Sequence, residues 1–205
     1  MKIGVLAGAA ALAIAGIASA GFVGYEAEKT VVSGKNVWRV YAKFNNASDV
    51  VLSVYGISGF GGANFNDSDF VGGTWNPQFA LDATVDSFVT IGGAAGLTNS
   101  TNADPEWGAP GFLQNGIPDG AGWFNGNPTN LQGKVDGSLR ALIAQFVYSG
   151  EDTQQYTSLL SISFNQGLGT ATQFGEGQGF TIGVPAPGAV ALLGLAGLAG
   201  RRRRA

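Results

Sequence analysis

Apolar and polar positions alternate in short runs along the middle of the chain. Trp38, Val40, Ala42 and Phe44 fall on one side of an extended segment, with Arg39 and Lys43 on the other. This is the period-two pattern of a half-buried strand. The turn-rich string Asn45-Asn46-Ala47-Ser48-Asp49 leads into a second strand at 50–57, VVLSVYGI. SFVTI at 87–91 predicts a third, and at 158–164 Leu160, Ile162 and Phe164 alternate with Ser161 and Ser163. Segments 25–32 and 180–182 read as an opening and a closing strand. The longest apolar run, LRALIAQFVY at 139–148, is long enough for three helical turns, but Gly137 and Gly150 bracket it and QFVY ends it, so it reads as a strand. Seven to nine strands without a sustained helical period predict an all-β fold. Two antiparallel layers, a jelly-roll-like or Ig-like β-sandwich, are the economical way to bury them. Residues 92–130 are rich in Gly, Asn and Pro and show no clear period. They read as a long insertion, of a kind that is often functional.

The two ends follow different rules. Residues 1–20 combine Lys2, a 15-residue apolar run at 3–17 and the small-x-small triplet Ala18-Ser19-Ala20. These are the three parts of an export leader cleaved before Gly21, which implies a Sec-type export machinery and signal peptidase as partners. At the other end Val184, Pro185, Ala186 and Pro187 form a stiff extended element, because proline fixes φ and removes a backbone donor. The next 13 residues, 188–200, are all Gly, Ala, Val or Leu. As a helix they span only about 20 Å, short for a permanent membrane anchor. Arg201, Arg202, Arg203 and Arg204 follow directly, and such a block stays on the cytoplasmic side. The chain therefore divides into a leader helix (1–20), one body (21–183) and a tail with a short hydrophobic helix (184–205).

The order of proline motif, short apolar helix and arginine cluster resembles the PEP-CTERM sorting signal of bacterial envelope proteins. Ala186 stands where that family's motif has Glu. The segments VWRVYAKFNNASDVVLSVYG, SFVTIG and GWFNGNPTNLQG are similar to bodies of other proteins carrying this signal. The resemblance implies an exosortase-like sorting enzyme as partner. It also implies transient inner-membrane anchoring, followed by release to the cell surface or an exopolysaccharide matrix. It implies no active site.

Composition narrows the chemistry further. The chain has no cysteine and no histidine. Disulfides, thiol catalysis, histidine triads and Cys- or His-ligated metals are therefore excluded. All 14 acidic residues lie between Glu26 and Glu176, whereas five of the 11 basic ones sit in the leader and tail, leaving the body at 6 − 14 = −8. Such a body disfavours nucleic acid, whose binding rests on neutralising phosphates. Asn66, Asp67 and Asp69 make an oxygen-rich loop, a weak calcium candidate that reads more simply as a turn. Glu106 beside Trp107 is the nearest approach to a glycosidase carboxylate, without a visible second. Trp107, Trp123 and Phe124, with Trp75, lie among Asn and Gln and suit either glycan stacking or plugging the ends of a sandwich. The expectation is an exported, non-enzymatic surface or matrix protein without a cofactor. The alternatives are a carbohydrate-binding module for exopolysaccharide and, third, a hydrolase using acidic residues.

Overall fold

The computed structural model describes residues 21–60, 65–67, 75–105, 107, 117–150 and 155–183. Among these residues nine strands form two antiparallel sheets: β1 (Phe22–Val32), β2 (Lys35–Phe44), β3 (Val50–Ser58), β4 (Phe88–Val89), β5 (Thr101–Ala103), β6 (Trp123–Asn125), β7 (Arg140–Ser149), β8 (Tyr156–Asn165) and β9 (Gln173–Ile182). The first sheet runs β1-β2-β7-β4 and the second β5-β6-β3-β8-β9. The β1–β2 hairpin turns on Ser33 and Gly34, both left-handed at φ 49° and 75°. A two-residue turn that matches strand twist needs this geometry, and glycine adopts it without strain.

The inner faces of the two sheets share one core. Phe44 of β2 meets Phe164 of β8 with ring centroids 5.1 Å apart, and Phe146 of β7 stacks on Phe180 of β9 at 6.0 Å. Phe146 also touches Phe60, Phe65 and Trp75, at 5.0, 5.3 and 5.9 Å, from the connection between β3 and β4. At the flank where β1 and β9 lie side by side, the Phe22 ring occupies the space that a side chain on Gly175 would need.

A bulge in β7 sets up the outer face of the first sheet. Val40 pairs with Ala144 and Tyr41 with Leu142, so Ile143 is the extra residue. Ile143 and Ala144 both enter the core, and the bulge brings Tyr41, Leu142 and Arg140 to the outer face. Part of that face is itself covered: Val37 and Val147 are fully buried but lie outside the shared core. The covering loop is pinned by Asn66 and Ser87, whose amide and hydroxyl bond the Val147 carbonyl.

Most predicted strands are present, with shifts that have physical causes. The 139–148 run forms β7 and makes no helix. Of 87–91 only Phe88–Val89 is strand, because the chain then turns through left-handed Gly92 and Gly93. The closing strand begins earlier than expected, at Gln173. The 92–130 stretch is no structureless insertion: it contains β5, β6 and a 3₁₀ turn, Pro128–Asn130. Gln132 ties these pieces together. Its amide donates to the Ile91 carbonyl (2.9 Å) and Asn99 Oδ1 (3.0 Å), and its carbonyl accepts from the Ser100 amide (2.8 Å). The expected leader and tail helices lie outside the described residues, among which no helix is long and apolar enough to cross a membrane.

Asp49, between β2 and β3, is fully buried. Burial raises its carboxyl above the ordinary carboxylate range, with hydrogen bonds from Gln166 and the Asn46 backbone acting in the opposite sense. The folded form then holds the proton more tightly than the unfolded form, so stability falls as pH rises from the unfolded value towards the raised folded one. The Asp49→Asn variant is expected to melt above the wild type at pH 7, the gap closing as pH falls below about 4. Thermal unfolding followed by circular dichroism between pH 3 and 7 checks this; a gap independent of pH would contradict it.

Candidate functional site

The outer face of the second sheet carries a row of cross-strand partners. Asn102 of β5 pairs with Phe124 of β6, Phe124 with Ser53 of β3, Ser53 with Ser163 of β8, and Ser163 with Phe174 of β9. Partners directly opposite in antiparallel strands point to the same face. The row therefore has a small polar floor between two rings. Ser53 and Ser163 hydroxyls are 2.6 Å apart, whereas Phe124 and Phe174 are 44% and 63% exposed. Three interstrand steps separate the rings, roughly 14 Å. In the next row Tyr55 pairs with Ser161, whose hydroxyl accepts from the Gly177 amide at 3.1 Å. Ser53 and Ser163 keep the floor low between the rings, while Tyr55 and, opposite Gly179, the 51% exposed Leu159 stand beyond it.

Of the aromatic residues singled out in the sequence, only Phe124 belongs to this face. Trp123 is buried and donates its indole N–H to the Thr90 carbonyl at 3.0 Å. Trp107 is buried between Trp75 and Trp123, with centroids 5.4 and 6.0 Å away. These three indoles belong to the shared core. Phe124 is the next residue along β6 from Trp123, and strand alternation alone puts it outside. Phe174 was missed because the glycines flanking it, in QFGEGQG, disguise a strand.

Asn66 is a clamp. Its Oδ1 accepts from Lys35 Nζ at 2.8 Å, its Nδ2 donates to the Val85 carbonyl at 2.6 Å, and its backbone joins Val147 and Ser87. The oxygen that a calcium ion would need already faces an ammonium group. Asp67 is described next to it, while Asp69 and Glu106 lie outside the described residues. So do Ala18, Ala20, Val184 to Pro187 and Arg201 to Arg204. Gly21 is described: its N–H donates to Asn45 Oδ1 at 2.9 Å, and its carbonyl accepts from the Asn45 amide.

A cavity of about 470 Å³ opens on the outer face of the first sheet. Arg39 and Tyr41 of β2, Arg140 and Leu142 of β7, Lys134, and the turn from Gly92 to Ala95 line it. The Arg140 guanidinium lies 4.1 Å over the Tyr41 ring and pairs with Glu28 at 2.5 Å. The Tyr41 hydroxyl is pushed up by burial and then by the Glu28 charge. Arg39 Nε donates to Gln145 Oε1 at 3.0 Å. Gly92 is left-handed, and a Cβ there would strike the Gln132 backbone; the turn thus flanks the cavity without bulk.

No protein-family model, curated protein or solved structure matches the chain. Asn66→Ala removes two side-chain hydrogen bonds and strands partly buried partners, so it is expected to cost about 1–3 kcal/mol in denaturant unfolding; an unchanged midpoint would contradict the assignment.

Proposed function

We propose that the chain is an exported protein of the bacterial cell surface or extracellular matrix, of structural or interaction type rather than an enzyme. In this reading the two sheets are the layers of a β-sandwich body over 21–183. A leader (1–20) delivers it through a Sec-type machinery and signal peptidase, and the 184–205 tail is read by an exosortase-like enzyme. The observation that carries the reading is the tail itself, a proline motif, 13 small apolar residues and four arginines in fixed order. That length stalls in a membrane yet anchors weakly, and four arginines are costly to move across it. Two structural facts are consistent with it. The Gly21 nitrogen, which cleavage would turn into an ammonium group, already faces the Asn45 amide oxygen. The inner faces of both sheets meet through Phe44–Phe164 and Phe146–Phe180.

A second reading, a carbohydrate-binding module for the cell's own exopolysaccharide, is favoured by the Phe124–Ser53–Ser163–Phe174 row. Exposed rings on either side of a hydroxyl floor suit a sugar's apolar face and its hydroxyl edge.

One measurement tests the main reading. The intact mass of the protein recovered from its native cells is expected to correspond to a chain that starts at Gly21 and lacks Arg201 to Arg204. A mass that retains both ends would overturn the export-and-sorting account. In the same preparation, loss of polysaccharide binding in Phe124→Ala and Phe174→Ala, with the fold intact, would support the second reading.

A further inference from the structure

We propose that the cavity on the outer face of the first sheet binds a carboxylate-bearing sugar ring as a monoanion. The starting point is charge. The body has six cations against 14 acids, yet Arg39, Lys134 and Arg140, half of those cations, line this one cavity, with Asp136 as the only acidic lining residue among the described ones. A strongly acidic body that concentrates its cations at one concavity draws anions to that place and repels them elsewhere.

The partners of the three cations set the ligand's charge. Arg140 is committed: Glu28 lies at 2.5 Å, Glu26 at 3.8 Å and Asp136 at 3.7 Å. Its guanidinium plane also rests on Tyr41. Arg39 and Lys134 have no ion-pair partner among the described residues. Gln145 takes only the Nε–H of Arg39, which orients the guanidinium and leaves its terminal N–H groups for a ligand. Three cations and Asp136 give a lining of +2, Glu28 on Arg140 reduces it to +1, and Glu26 leaves that figure unchanged because Lys43 pairs with it at 2.7 Å. That balance suits one carboxylate, which a guanidinium fork binds in bidentate fashion, better than a doubly charged phosphate.

The walls set the rest of the ligand. Phe88 and Leu142 bring apolar surface, Ala94 and Ala95 add methyl groups, and Thr84 offers a hydroxyl oxygen whose own proton goes to Asp82, whereas both N–H groups of Gln145 are taken by the Ala83 and Asp86 carbonyls. The volume of about 470 Å³ lies in the range of small-molecule sites. A sugar acid matches this combination: an apolar ring face, hydroxyls at the rim and one charge. The inference is independent of the export reading and of the Phe124–Phe174 face, which belongs to the other sheet.

Isothermal titration of the full-length protein with glucuronate, glucose and inorganic phosphate tests it. The expected result is saturable glucuronate binding, no saturation with glucose, and weaker binding of phosphate. Arg39→Gln and Lys134→Gln should each weaken glucuronate binding about tenfold, while Lys29→Gln, outside the cavity, should not. Raising ionic strength from about 10 to 150 mM should weaken binding, since it shortens the Debye length from about 30 to 8 Å. Lys134 is exposed, so its variant remains informative if Arg39→Gln disturbs the fold. Absence of glucuronate saturation, equal affinity for glucose or phosphate, or wild-type affinity in Lys134→Gln would overturn the proposal.

Discussion

The packing of Phe146 is the contact on which the rest of the structure depends. Its ring is fully buried on β7, an interior strand of the first sheet. It stacks on Phe180 of the second sheet and touches Phe60, Phe65 and Trp75 from the long β3–β4 connection. One side chain thus joins both sheets to described residues of that connection. From Trp75 the contacts pass to Trp107 and Trp123, which bring the 92–130 region onto the same core. A chain without cysteine has no covalent means of fixing connections of this length. Buried aromatic area takes that part.

Amide side chains complete what the rings begin. Gln132, Asn99, Asn125 and Asn130 hold the β5–β6 region through mutual and backbone hydrogen bonds, and Asn66 does the same for the loop over Val37 and Val147. These clamps account for five of the 22 Asn and Gln residues, which the sequence alone allows to be read as ligand contacts. The outer faces carry other features: a serine floor between two rings on the second sheet, and a cationic cavity on the first.

The long strands were legible because one face of each is buried and the other is not, so the period of two survives in Val40, Ala42 and Phe44, or in Leu160, Ile162 and Phe164. Strands β5 and β6 were not legible, since three residues are too few to show a period. β9 was hidden by Gly175, Gly177 and Gly179, one of which is required by the Phe22 ring. Val37 and Val147 break the simple alternation because a loop covers the outer face there, which depends on the remote residue Asn66. Of the candidate site, Phe124 was visible as an aromatic among polar residues. Its partner Phe174 and the Arg39–Lys134–Arg140 cluster were not, because strand pairing and the β7 bulge, rather than nearness in sequence, bring them together.

The central claim is that one aromatic core anchored on Phe146 holds both sheets and their long connections. Denaturant unfolding of Phe146→Ala, followed by tryptophan fluorescence and far-ultraviolet circular dichroism together, tests it most directly. The account predicts a loss of roughly 3–5 kcal/mol, as for a large aromatic removed from a packed core. The two signals should still change in one transition, because loops and sheets share that core. A loss under about 1 kcal/mol, or tryptophan fluorescence that changes well before the sheet signal, would contradict it.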